Sequence, residues 1–442
     1  MNYSIRKIIN NGCLDTNKKV LQFFHFLFSE GSYTWIKLIV FFILFSSCSK
    51  DSDLPNENDG DNGTNTTGTI PLVVEPDVGI AEHGTKINQI IGDYDREKDQ
   101  PTENRTFSRY GLEATDLGIP FQKGDTTFVL FGDSWGVIPD LPNAVAYTTD
   151  NTPEDGLKLN FVEDNSGLFH PLTIPGISQH AFEVPTEGIT INNKMYIYHT
   201  TDHSPVSTMG RSVLARSNGD GGRTFSYLYD MSVNRFINVS IVKKDLSDWD
   251  LLPDDSGDAL VIFGSGKYRE SPVYLAIQPA SEIENKNSIR YFAGLDESKN
   301  LLWAERESSA LPIFEMDEPC VGELSVSYNE FIKRWILLYN CGNPRGINIR
   351  TSEYPWGPWS EPQVLFHPWD NNGYCHFMHT SWEFQQCDSI HDNGRENEWG
   401  GEYGPYQFEN LAKGDSITTT IYFTMSTWNP YTVVLMKAEL KI

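Results

Sequence analysis

Four acidic residues stand where a solvated charge is out of place. Asp116 lies in EATDLGIPF, Asp133 in VLFGDSWG, Glu187 in VPTEGITI and Glu323 in CVGELSVSY, each at the edge of an apolar run. Carboxyl groups gathered in a partly apolar pocket suit glycoside hydrolysis. That reaction needs one carboxylic acid kept protonated to donate to the leaving oxygen, and one carboxylate to activate water or attack the anomeric carbon. Crowding of like charges away from water separates the two pKa values. Asp and Glu beside glycine also cap turns, and either role accounts for any one of the four taken singly. The roles part company only where the acids meet, which depends on the elements that carry them.

Those elements read as strands. TTFVLFGDSW, ITINNKMYIYHT, DALVIFGSG, SPVYLAIQ, ELSVSY, RWILLYNC and TTIYFTMST carry β-branched and aromatic residues at period two or in short apolar runs. Aromatics make up 13% of the chain, which also holds 35 Gly and 24 Pro, as strands joined by many turns require. No stretch of ten residues repeats with a helical period. The strands group into units starting near residues 110, 183, 236, 318 and 400, a spacing that predicts an all-β fold, a five-bladed β-propeller over 85–442. Asn218 to Phe225, NGDGGRTF, resembles the Asp-box turn between outer strands of propeller blades, where its role is structural. Inner strands of a propeller converge on the axis, so Asp116 and Asp133 of the first blade and Glu323 from the opposite side are expected in one central pocket.

Other side chains suit a sugar ligand. Trp135, Trp356, Trp359 and Trp428 offer flat apolar faces for stacking on sugar rings, or packing between blades. Arg269, Arg345 and Tyr403 have donors for hydroxyls, and Glu187 opens a later inner strand as a further binding group. His376 and His379 fall near the same face, with a loop or core position as the plainer reading. Four cysteines lie in the globular part, and an even number in an exported domain suggests disulfides. Cys320 and Cys341 flank a predicted hairpin symmetrically about Glu330 and Phe331, which leaves Cys375 for Cys387. A zinc site near His376 and His379 finds no CxxC or HxxxH spacing to support it, and no metal ligand is assigned.

An ordered set of motifs is similar to a known family. T-D-L-G at 115–118, F-G-D-S-W at 131–135, Y-R-E-S-P-V-Y-L-A at 268–276, G-E-L-S-V-S-Y-N at 322–329, R-W-I-L-L-Y at 334–339, P-W-G-P-W-S at 355–360, Y-G-P-Y at 403–406 and S-T-W-N-P-Y at 426–431 resemble the family of domain of unknown function 4185, over roughly 105–440. That family is associated with glycoside hydrolase family 183, the endo-D-arabinanases. The resemblance implies a five-bladed propeller cleaving arabinofuranosyl linkages in a neutral polysaccharide such as mycobacterial-type arabinan, with Asp116, Asp133 and Glu323 catalytic. It calls for no cofactor and leaves room for a structural calcium ion. The reading from a different class is a non-catalytic glycan-binding surface lipoprotein, which keeps the aromatics and loses the convergence of carboxylates. A sialidase-like enzyme would want a cluster of arginines for the sugar carboxylate, and the 34 basic residues are spread thinly.

The start of the chain reads as an export signal. Lys37 is followed by the apolar run Leu38 to Phe45 and by Ser46-Ser47-Cys48, which resembles a bacterial lipoprotein box, so 1–48 is expected to be a signal segment ending at a lipidated Cys48. Residues 49–84 are rich in Asp, Asn, Gly and Thr and read as a flexible acidic tether. The acidic SKDSD after Cys48 resembles the surface-export signal of Bacteroidetes lipoproteins, which implies an outer-membrane protein facing outward and held to the membrane by its lipid alone. A net charge of −26 repels phosphate backbones and argues against nucleic acid as a partner.

Overall fold

The computed structural model describes residues 68–245 and 257–442. The expected signal segment, the lipidated Cys48 and most of the expected tether lie outside them. The regular structure of the described chain is almost all strand, with one short helix at Thr106–Tyr110 and four single turns of 3₁₀ helix. Blade one is built from Leu117–Lys123, Thr126–Phe131, Ala144–Thr148 and Asn160–Phe161. Blade two follows with Pro185–Ile191, Lys194–Thr201, Arg211–Ser217 and Phe225–Ser232. Blade three has five strands from Asn238–Asp245 to Leu301–Ala304, and blade four runs from Leu324–Asn329 to Gln363–Phe366. These four blades are antiparallel meanders, and the innermost strand of each of the five blades touches the innermost strands of both neighbours, which closes the ring into a propeller.

The burial pattern explains the sequence pattern. Inner strands are covered on both faces, so they read as near-continuous apolar runs: Ala259 to Phe263 (ALVIF), on the second strand of blade three, are all buried. Outer strands such as Leu301–Ala304 are only half covered. A hydrophobic cluster fills each seam between blades, for example Phe263, Trp335, Leu337 and Trp359 between blades three and four. In the turn at 218–225 the Asp220 carboxylate accepts hydrogen bonds from the amides of Arg223 and Thr224 and the Thr224 hydroxyl, with Phe225 buried beneath.

Blade five is assembled from both ends of the domain. Glu402–Gln407, Thr418–Thr427 and Thr432–Lys441 form its inner three strands, and Gly79–Gln89 completes it, in antiparallel register from Gly79 against Lys441 to Gln89 against Val434. Sheet therefore starts before residue 85, at Gly79, within the last part of the stretch expected to be tether. Cys320 bonds Cys341 and Cys375 bonds Cys387. The first hairpin of blade four pairs Leu324 with Tyr339 and Asn329 with Arg334, so its centre falls one residue beyond the expected Glu330–Phe331. The bond forms all the same, because Cys320 approaches from the segment ahead of the strand. Residues 367–401, between blades four and five, hold no strand and are folded back on themselves by the Cys375–Cys387 bond.

Candidate active site

A cavity of about 1170 Å³ opens at the end of the ring where the inner strands of blades one, four and five begin. Asp116, Asp133 and Glu323 all line it, and Trp135, Arg269, Tyr403 and Trp428 line it with them. Seven of the thirteen side chains put forward for catalysis and binding thus share one pocket.

The local fold explains how Asp116 meets Asp133. In the first hairpin of blade one Leu117 pairs with Phe131, so Asp116 falls beside Gly132 and next to Asp133. The Gly132 amide donates to the Asp116 carbonyl at 3.1 Å. A side chain at 132 would not fit, since its Cβ would lie 2.3 Å from Asp116 Oδ1. The Tyr403 hydroxyl donates to Asp116 Oδ2 at 2.9 Å, and Oδ1 is buried against Gly132. Burial, with the neighbouring charge of Asp133, pushes Asp116 up to about 8, against the opposing pull of the Tyr431 and Tyr403 hydroxyls. Asp133 is more open to water. Burial raises it to about 6, held back by the Phe182 amide, which donates to its carboxylate at 3.0 Å.

Glu323 comes from just ahead of the first strand of blade four. Its carboxylate accepts from the Tyr268 hydroxyl at 2.8 Å and from Arg269 at 3.2 Å. Against the cost of burial, Glu323 holds Arg269 above the ordinary guanidinium value. The pocket floor therefore contains a carboxyl pair with little compensation, Asp116 and Asp133, beside a third carboxylate neutralised by an arginine.

The backbone around all three acids is unusual. Leu117, Phe182 and Arg269, each adjacent in sequence or by hydrogen bond to one of them, have φ of 67°, 65° and 55°. Such left-handed conformations cost on the order of 1–3 kcal/mol at non-glycine positions and cluster at functional sites.

The rim is aromatic. Trp135 is 54% exposed and Trp428 47%, and Phe182, Tyr94 and Phe107 stand exposed on the same wall. Trp428 is held in place: the Arg395 guanidinium lies 4.7 Å from its ring centroid, its indole N–H donates to Glu398 at 3.3 Å, and Tyr431 meets it edge-on. These contacts leave a fixed apolar surface facing the opening.

The other predicted residues lie elsewhere. Glu187 does not line the cavity. It sits in the seam between blades two and three, where its carboxylate accepts from the amides of Gly188 and Ile241 and the Ser240 hydroxyl. Arg345 does not line the cavity; it is bonded to the Tyr374 hydroxyl and paired with Glu402 at 3.4 Å. His376 is half exposed, 3.9 Å from Glu97. Trp359 is wholly buried in the seam between blades three and four, and Trp356 stacks on Tyr354. His379 is buried with one ring nitrogen 2.5 Å from Asp388 and the other 2.8 Å from the Glu396 carbonyl. The cysteines nearby are consumed by their disulfide.

Sequence reasoning passed over Tyr268, Tyr431, Phe182 and the 392–398 segment. The first two sit inside motifs already singled out, Y-R-E-S-P and S-T-W-N-P-Y, beside residues that were chosen. Asp392, Arg395 and Glu398 come from the irregular segment between blades four and five, where no periodicity marks which side chains turn inward.

The sequence model of the domain of unknown function DUF4185 matches residues 101–437. No curated protein sequence matches the chain. Among solved structures the chain is similar to an exo-β-1,3-galactanase from Phanerochaete chrysosporium, solved with galactose, at 10% identity and a TM-score of 0.41, covering 79% of this chain and 64% of that one. It is also similar to a GH43_1 enzyme from Xanthomonas citri complexed with xylotriose, at 12% identity and a TM-score of 0.38, covering 74% and 86%. An α-L-arabinofuranosidase from Podospora anserina in complex with cellotriose gives 10% identity and a TM-score of 0.41, covering 82% and 97%. With scores this low, the chemistry has to be read from the residues of the pocket.

Proposed function

The chain belongs to the DUF4185 family, and for this member we propose a glycoside hydrolase that works in the central pocket on a neutral polysaccharide, with arabinofuranosyl linkages of D-arabinan as its first candidate substrate. The observation that carries the reading is the pair itself: Asp116 and Asp133, brought side by side by the first hairpin of blade one, both line one cavity, and burial raises the pKa of both. Near neutral pH that pair holds one proton. Asp116, the deeper of the two, keeps it. Asp116 is then the donor to the leaving oxygen, and Asp133 the carboxylate that activates water or attacks the anomeric carbon. Glu323, tied to Arg269 and Tyr268, shapes the field in which the pair titrates and presents a fixed acceptor to sugar hydroxyls. The exposed tryptophans of the rim offer faces to furanose rings, whose C–H surfaces are apolar.

The choice of D-arabinan rests on the motif resemblance to endo-D-arabinanases. The test is incubation of the purified domain with D-arabinan, L-arabinan, xylan and galactan, followed by sizing of the products. Shortened chains from D-arabinan are expected; retention of every polymer at full length, with binding intact, would favour the non-catalytic glycan-binding alternative. The same proposal holds the enzyme at the outer-membrane surface through acylation of Cys48. Cys48→Ser should then leave the membrane fraction, because stable anchoring takes two or more acyl chains.

A further inference from the structure

Beyond the pocket, residues 367–401 carry a second aromatic feature. Trp369, Tyr374, Phe384 and Trp399 pack ring against ring, with centroids 4.9 Å apart for Trp369 and Tyr374, 5.2 Å for Tyr374 and Trp399, and 5.2 Å for Phe384 and Trp399. Despite that packing Phe384 is 64% exposed, and Trp369 and Trp399 are also exposed. A contiguous exposed apolar patch on a monomer marks an interaction surface.

We infer that this cluster is a distal sugar-binding platform, which takes units of the polysaccharide chain that extend beyond the cleavage pocket. The inference rests on the hydrolase reading and names a further part of its substrate site. Three observations favour a carbohydrate occupant. The platform borders the pocket, since Glu398 and Gly401, which flank Trp399 in the chain, line the cavity, and the Trp428 amide of the rim donates to the Gly401 carbonyl at 2.9 Å. It is rigid, because the Cys375–Cys387 bond closes the loop beneath it and Arg345 holds the Tyr374 hydroxyl at 2.5 Å, so little order is lost on binding. It is flanked by polar groups suited to hydroxyls, the Arg345–Glu402 pair, with Glu402 itself lining the cavity. The cavity is moreover larger than the roughly 300–1,000 Å³ usual for a small ligand, as a site open to a chain should be.

The experiment uses the full chain carrying Asp116→Asn, so that binding is read without turnover. Its affinity for D-arabinan, L-arabinan and xylan, and for trisaccharides of each, is measured by titration calorimetry, with and without Phe384→Ala or Trp399→Ala. The polymer is expected to bind more tightly than its trisaccharide, and each ring removed to weaken polymer binding roughly three- to tenfold, so that the preference for polymer shrinks. Phe384→Ala guards against misfolding of the Trp399 variant, and a thermal melt verifies both. An unchanged preference for polymer in both folded variants overturns the platform, even where the unsubstituted chain cleaves glycans. Retained platform-dependent binding in a chain that cleaves no glycan would sink the hydrolase reading alone. Concentration-dependent self-association that both substitutions abolish, with no glycan bound, would make the patch a protein interface and overturn the inference.

Discussion

Asp116 and Glu187 are both buried carboxyl groups near the start of an inner strand, and burial pushes both to about 8. They nevertheless do different things. Glu187 is the third residue of its strand, turned into a seam, with three donors on its oxygens and no part in the cavity wall. Asp116 stands one residue ahead of its strand, lines the cavity and has Asp133 beside it. A raised pKa measures desolvation and says little about catalysis until the group also has access to a ligand and a second titrating neighbour.

The sharpest way to break that contrast is to remove each carboxylate. Asp116→Asn and Asp133→Asn should each lower turnover on D-arabinan by a factor on the order of 10² or more, the usual scale of general acid–base catalysis. Glu187→Gln should change it by less than about threefold in the folded enzyme. Equal losses at 116 and 187, in steady-state assays on variants with intact melts, would erase the distinction drawn here. A second effect is in the pH profile of kcat/KM. The rate should fall below about pH 6 as Asp133 takes up a proton and above about pH 8 as Asp116 loses its own. A flat profile between pH 5 and 9 would mean that neither group transfers a proton.

Tyr403→Phe tests the pair more finely. Its hydrogen bond lowers the Asp116 pKa, so its loss should move the alkaline limb upward and reduce turnover by roughly three- to tenfold, the worth of one hydrogen bond. The last effect belongs to Glu187 and is read in stability rather than in turnover. Its folded pKa lies above its ordinary value of 4.5, so the stabilisation it gives is complete below that pH and is lost as pH rises towards about 8. Glu187→Gln should make the decline of stability with pH shallower over that window, by at most about 1.4 kcal/mol per pH unit, in urea melts run from pH 4.5 to 8.

How far the sequence reaches is visible in the same two acids. Period-two apolar runs and their spacing were enough for the five blades, and an acid beside such a run was enough to pick Asp116, Asp133 and Glu323. Glu187 satisfied the same criterion, because periodicity does not say whether an acid stands ahead of the strand, where the pocket opens, or two residues inside it, where the seam closes. Gly79–Gln89, GIAEHGTKINQ, has too many exposed and polar positions to announce a strand. It becomes one because Thr432–Lys441 offers it a free edge. Arg395 and Glu398, which fix Trp428, lie in irregular chain whose inward-facing positions are set only by the completed ring.

That closure has a kinetic consequence. The seam of blade five joins residues from opposite ends of the domain, the costliest kind of loop to close, and contacts of this separation are the slowest to form. Until Gly79–Gln89 docks, Thr432–Lys441 presents an unpaired edge of mostly apolar residues, open to the wrong strand of another molecule. Its amides should therefore be among the last in the propeller to gain protection from exchange during refolding, and crowded refolding should fail first at that edge.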